Sequence, residues 1–215
     1  MNQAVRPVFA RVIAKIIAIA ALVAGSASAG AATGDSAQAY PGEQVLSAFR
    51  GACSSFADFG KARDMAVAQG WTEIPVDDTT PGGRLVRFGE EMAGKSDDIT
   101  MLKGSLLRRD VAGRELYLAI SGAKLDGATA KGCRMYDFTA ALPLSDDALV
   151  AFMGRGAESR KEPIAGFTIA TWNPGMVTGQ SEFEAAHLAQ GTTLPMAMPI
   201  SGVMLKAQTV EIDKP

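Results

Sequence analysis

Apolar residues recur at Val45, Phe49, Cys53 and Phe56, at steps of four and three, the spacing of a buried stripe on a helix. A second helix is predicted over 59–69, because Asp58 is a good N-cap and Gly70 a good terminator. From Trp71 onward the period shortens. The stretches 83–88, 99–107, 114–120 and 132–138 are short and β-prone, and turn-rich loops separate them. The clearest alternation is in 114–120, where Leu116, Leu118 and Ile120 point to one side and Glu115, Tyr117 and Ala119 to the other.

A helix returns after Ser145. That residue suits an N-cap, Asp146 and Asp147 complement the positive helix start, and Ala148, Leu149, Phe152 and Met153 form its apolar stripe. The stretch 166–172 reads as a strand stopped at Asn173, Pro174 and Gly175, a combination suited to a type II turn. The segment 181–191 carries a capping box, Ser181 with Glu184, and ends at Gly191, which predicts a short helix. The last element, 201–212, is predicted as an edge or terminal strand. Runs of strands flanked by helices indicate an α+β fold. The expectation is an antiparallel sheet of about five to six strands, with helices packed on one face and a single disulfide.

The N-terminus changes the picture of where this domain works. Arg6, Arg11 and Lys15 precede the apolar run Ile16 to Ala24, and Ala27, Ser28 and Ala29 supply small residues for cleavage, the pattern of a secretory signal peptide. The apolar run is only nine residues long, whereas a membrane-spanning helix needs about 20. The predicted organisation is a signal peptide at 1–29, a flexible lead-in at 30–43 and one domain at 44–215. The predicted location is periplasmic or secreted, of the Gram-negative type, with no stable membrane span after cleavage.

Composition supports a packed core, with 47% hydrophobic and 20% charged residues. Removing the leader takes away three basic residues and no acidic ones, leaving 18 Lys and Arg against 23 Asp and Glu. Such a surface repels phosphate backbones, so nucleic acid is not an expected partner.

Cys53 and Cys133 are the two cysteines. Both fall on apolar faces, and in an oxidising compartment two cysteines that can approach each other pair. Zinc needs paired ligand spacings that this chain lacks, and a catalytic thiol needs a nearby histidine, of which the chain has one, His187. A bridge between Cys53 and Cys133 is therefore expected.

Candidate chemistry is sparse. Ser121 and Lys124 match the SxxK pattern of penicillin-binding proteins and serine β-lactamases, but there the serine opens a helix, whereas here the pattern ends a β-prone run. His187, four residues after Phe183 on the expected short helix, is a candidate general base. A hydrolase using Ser121 and Lys124, or His187, is one functional alternative. Met176, Met196, Met198 and Met204, with His187, offer thioether and imidazole ligands suited to Cu(I), and a copper-handling protein is another. Methionine also fills cores adaptably. No cofactor is expected. The leading expectation is a non-enzymatic binding or interaction module of the cell envelope. Its partner would be an envelope protein or a small ligand, engaged at a sheet face or at the turn after Trp172.

Overall fold

The computed structural model describes residues 40–177, 181–192, 194 and 200–212. The expected leader at 1–29 therefore lies outside the described residues. The chain begins with helices α1 (Gly42–Cys53) and α2 (Phe59–Ala68), a two-residue strand β1 (Thr72–Glu73) and helix α3 (Pro81–Ala93). Strands β2 (Thr100–Val111), β3 (Arg114–Leu125) and β4 (Ala128–Asp137) follow. Then come helix α4 (Asp146–Met153) and strands β5 (Ser159–Ile164), β6 (Phe167–Trp172), β7 (Ser181–Leu188) and β8 (Gly202–Ile212).

All the strand pairings described are antiparallel, in one eight-stranded sheet of order β1-β2-β3-β4-β8-β7-β6-β5. Each half is a four-stranded meander, and the halves join through their last strands. The expected five to six strands are thus eight. Strand β8 is last in sequence but central in the sheet, paired with β4 along Ala128 to Asp137 and with β7 along Ser181 to Leu188.

Local chemistry explains most boundaries. Asp58 accepts a hydrogen bond from the Lys61 amide at 3.0 Å and starts α2. Ser145 accepts from the Ala148 amide at 3.2 Å and starts α4, and Gly154, with φ +71°, ends it in the left-handed conformation that glycine adopts without penalty. The stretch 83–88, expected as a strand, is the middle of α3. Thr80 caps that helix through the Gly83 amide at 3.0 Å and Pro81 occupies its first turn, a strong helix start that outweighs the β-prone run.

The stretch 181–191, expected as a helix, forms β7 instead, and Ser181 bonds the Val177 carbonyl rather than capping a helix. Its neighbours β6 and β8 supply backbone partners along its whole length. That ladder outweighs a capping box. The turn after Trp172 holds a cis Asn173–Pro174 bond and is not of type II. Helix α1 starts at Gly42, inside the expected lead-in.

Strand alternation gives the sheet two faces. Leu107, Leu116, Leu118, Ile120, Cys133, Met135, Leu205 and Phe183 point to the first face, under α1, α2 and α4. Phe183 is the hub. Its ring centroid lies 5.7 Å from that of Phe49 on α1, 5.4 Å from Phe152 on α4 and 5.2 Å from Trp172 on β6.

The second face presents Leu106, Tyr117, Ala119 and Tyr136 to Leu85 and Val86 of α3. A Cβ at Gly82 would lie 2.5 Å from the Tyr117 ring, so the α3 backbone sits directly on that side chain. Helices therefore cover both faces, where one was expected. The α3 sequence could not disclose its side, because the same apolar stripe fits either face of a sheet.

Cys53 and Cys133 form a disulfide across a separation of 80 residues, with both residues fully buried. It ties the C-terminal end of α1 to β4. Closing a loop of that length removes unfolded-chain entropy worth about 4.5 kcal/mol in the simplest account, and about 2–5 kcal/mol is typical of measured losses. Replacing both cysteines with alanine is expected to lower unfolding stability within that range, measured by denaturant titration; a loss below 1 kcal/mol would contradict a stapling role. Ala112 has φ +51° in the β2–β3 hairpin, a conformation costing an L-residue about 1 kcal/mol or more. Ala112→Gly should therefore raise stability by up to about 1 kcal/mol in the same titration, and a destabilised variant would show that Ala112 is not strained.

Candidate functional site

Among the described residues, those singled out from the sequence do not converge into a reaction centre. Ser121 lies on the second face of β3, where the Arg134 guanidinium donates to its hydroxyl at 3.0 Å. Lys124 is three residues further along the same regular strand and projects from the opposite face. His187 is buried on the first face, with Nε2 3.4 Å from the Ala140 carbonyl oxygen. It pairs with Val203, and Lys124 pairs with Thr129, itself opposite Glu211. Eight residues of β8 separate those two rows, about 26 Å of strand.

The two described methionines of the candidate set do not gather either. Met176 packs against the first-face core and Met204 against the second. Met196 and Met198 lie outside the described residues. Among the described residues no group of three or more His, Cys, Asp or Glu side chains could hold a metal ion. Trp172, expected at an interaction surface, is fully buried, and its indole N–H donates to the Arg155 carbonyl at 3.1 Å. It is a core residue.

Two polar clusters went unrecognised in the sequence, because each assembles side chains far apart in the chain. The first lies beneath the start of α1. Arg114 Nε and Nη2 donate to the two Asp137 carboxylate oxygens at 2.7 and 2.9 Å, and the Thr139 amide and hydroxyl both donate to Oδ1 at 3.0 Å. Asp137 is 1% exposed. Burial pushes its carboxyl up, and the bonds from Arg114 and Thr139 together outweigh that, so it titrates below the ordinary aspartate value. The Tyr40 ring lies beside Arg114, with its centroid 5.6 Å from Cζ. Burial first, and the Asp137 charge second, hold the Tyr40 phenol protonated well beyond its usual range.

The second cluster is on the second face of β7 and β8. Lys206 Nζ pairs with Glu184 and lies 3.6 Å from Glu182, whose Oε1 accepts from Gln208 Nε2 at 2.8 Å. Burial, and then the neighbouring Glu184 charge, raise the Glu182 carboxyl above its ordinary value. Every strong donor here meets an acceptor. The cluster reads as an internally satisfied network.

The recessed surface lies elsewhere, where α1 and the end of α2 meet the β2–β3 hairpin. A shallow groove of about 730 Å³, largely open to solvent, is lined by Glu43, Gln44, Ser47, Gln69, Arg109 and Asp110, among others. A smaller recess of about 430 Å³ adjoins it and shares Arg109 and Asp110. Gln69 is held across α1, because Gly51 leaves room for it: a Cβ there would lie 2.2 Å from Gln69 Oε1.

Among the described residues, the side chains of Gln44, Ser47, Gln69 and Arg109 make no hydrogen bond or ion pair. The sequence hint was weak. Glu43, Gln44 and Ser47 are the polar positions beside the Val45 stripe, which any surface helix has.

Comparison with known protein families, with curated proteins and with solved structures found no match for this chain. No helix among the described residues is long and apolar enough to cross a membrane.

Asp137 titrates lower when folded than when unfolded, so its stabilising contribution is present above the unfolded value near pH 4 and is lost as pH falls through the folded one. Arg114→Ala leaves that buried carboxylate unpaired and should cost about 3–5 kcal/mol at pH 7. The cost should shrink as pH drops below about 4, where protonation removes the orphaned charge. Denaturant titrations at pH 7 and pH 3.5 check this, and a cost independent of pH would contradict it.

Proposed function

We propose that this chain is an exported, non-enzymatic binding module that holds a small polar ligand in the groove beside Arg109. The observation that carries the reading is the set of unspent polar groups around that groove. Buried polar groups are paired within the fold, whereas these side chains are exposed or half-buried and stay available to a ligand. Here an arginine, two glutamines and a serine face one recess with no partner among the described residues. Arginine presents a rigid fork suited to planar anionic groups, and the amides and hydroxyl can donate and accept in turn.

At the β5 edge of the sheet, strand addition is disfavoured. Strand β5 carries exposed Arg160, Lys161 and Glu162, a proline at 163 and a break in register between Lys161 and Ile164. These are devices that blunt edge pairing. Export rests on the leader pattern, and the buried disulfide is consistent with an oxidising compartment.

The test is a thermal-unfolding screen of the purified protein against amino acids, short peptides, sugars, sugar acids and small dicarboxylates. A ligand at 100 times its Kd stabilises by about 2.7 kcal/mol, a rise in Tm of several degrees for a domain of this size. Arg109→Ala should abolish the shift while leaving the unliganded Tm unchanged. A shift that survives Arg109→Ala, or labelling of Ser121 by a serine-reactive probe, would overturn the reading.

A further inference from the structure

We infer that two copies of this chain pair through the free edge of β2, joining their sheets across a two-fold axis with the two α3 helices side by side over the seam. The edge is free because β1 is short. That strand pairs only with Leu107 and Arg108, the Ile74 amide donates to the Leu106 carbonyl, and Pro75 then has no N–H to give. No described strand pairs with the outer side of 100–105.

Hydrogen-bonding direction alternates along a strand. Leu106 faces outward to Ile74, so Ala119 opposite it faces β4, and Ile120, Gly122 and Lys124 face β2. Leu102 and Thr100 bond to the last two, which leaves Met101 and Lys103 presenting amide and carbonyl outward. Two residues apart, these positions are self-complementary. In an antiparallel pairing about Leu102, Met101 of one copy stands opposite Lys103 of the other, and each such pair exchanges two hydrogen bonds. The stretch 100–105 carries one charge, Lys103, and no proline, whereas β5 carries three charges and a proline. The bulge between Leu102 and Ser105 keeps the shared ladder short, so the helices must supply the rest of the interface.

Helix α3 suits that role. It lies over β2 and β3, with Leu85 and Val86 against Leu106, Tyr117 and Ala119, and Gly82 on the Tyr117 ring. Phe88 and Met92 are half-buried yet pack against neither buried core, and a Cβ at Gly89 would meet nothing within 4 Å. A two-fold axis perpendicular to the sheet keeps both helices on the same face. Two helices each centred between β2 and β3 then stand two strand spacings apart, about 9.6 Å, within the range of about 8–10 Å for packed helices.

The same axis makes the helices antiparallel. Arg84 and Arg87 lie in the first half of α3 and Glu90 and Glu91 in the second, so the basic half of each helix runs beside the acidic half of the other. Arg87 also pairs with Asp78 at 2.7 Å, whereas Glu90 and Glu91 have no partner among the described residues. The seam lies at the Thr100 end of β2, and Arg109 and Asp110 of the groove lie toward its Val111 end.

The test is the molar mass of the purified protein by sedimentation over a concentration series. A mass of two chains is expected, falling toward one on dilution. Met101→Pro removes an outward N–H that no described strand uses, a change that an edge tolerates. It should leave one chain at every concentration, with circular dichroism and Tm retained. Should that variant fail to fold, Met101→Lys decides instead. The site is 39% exposed, and a second positive charge there, opposite Lys103, should raise the dissociation constant about tenfold or more. Glu90→Lys combined with Glu91→Lys should weaken pairing through the helices by a similar factor. A single chain at all concentrations, or a dimer that the Met101 variants leave intact, overturns the inference. A dimer indifferent to the glutamate reversals overturns the pairing of the helices.

Discussion

The ladder between β4 and β8 is the constraint on which the rest of the structure depends. Ten consecutive residue pairs, from Ala128 opposite Ile212 to Asp137 opposite Val203, fuse two four-stranded meanders into one sheet. Without that seam each meander would bury its apolar face against only one or two helices. With it, Met135 and Leu205 sit side by side at the centre of a continuous face, and Phe183 can reach both Phe49 of α1 and Phe152 of α4. The two halves become one core because hydrophobic burial scales with contiguous area removed from water.

Helix α1 is pinned to β4 near both ends by unlike means. At its C-terminal end the disulfide is a covalent tie to Cys133. At its start Tyr40 rests against Arg114, which is itself locked to Asp137 by two hydrogen bonds. A buried ion pair of this kind is seldom a net source of stability, because desolvating two charges offsets their attraction. Its consequence is geometric: one arrangement of Arg114 satisfies every bond, and α1 is seated accordingly. The α1 residues on the groove, Glu43, Gln44 and Ser47, therefore stand on a helix held at both ends, the kind of rigid support that keeps a binding site preorganised.

The surface features divide along similar physical lines. On β7 and β8, Glu182, Glu184, Lys206 and Gln208 bond to one another, and the β5 edge is charged. These leave little for a partner to satisfy. The groove beside Arg109 differs, with exposed and half-buried polar side chains gathered that bond nothing among the described residues.

The sequence by itself determined much of the local structure. Asp58 and Ser145 set helix starts, the alternation around Leu116 set β3, and the apolar placement of Cys53 and Cys133, with the leader pattern, set the disulfide. These signals lie within a few residues and need no distant partner. Where the sequence misled, two local preferences competed. The stretch 181–191 carries both a capping box and alternating Phe183, Ala185 and His187, and only the open flanks of β6 and β8 decided for a strand. Tertiary structure alone placed β8 at the centre, put α3 on the second face, made β5 a strand and brought Arg109 to Gln44 and Gln69. Each of those outcomes depends on which surfaces meet. A hydrophobic stripe records that a side chain is buried but not which surface buries it.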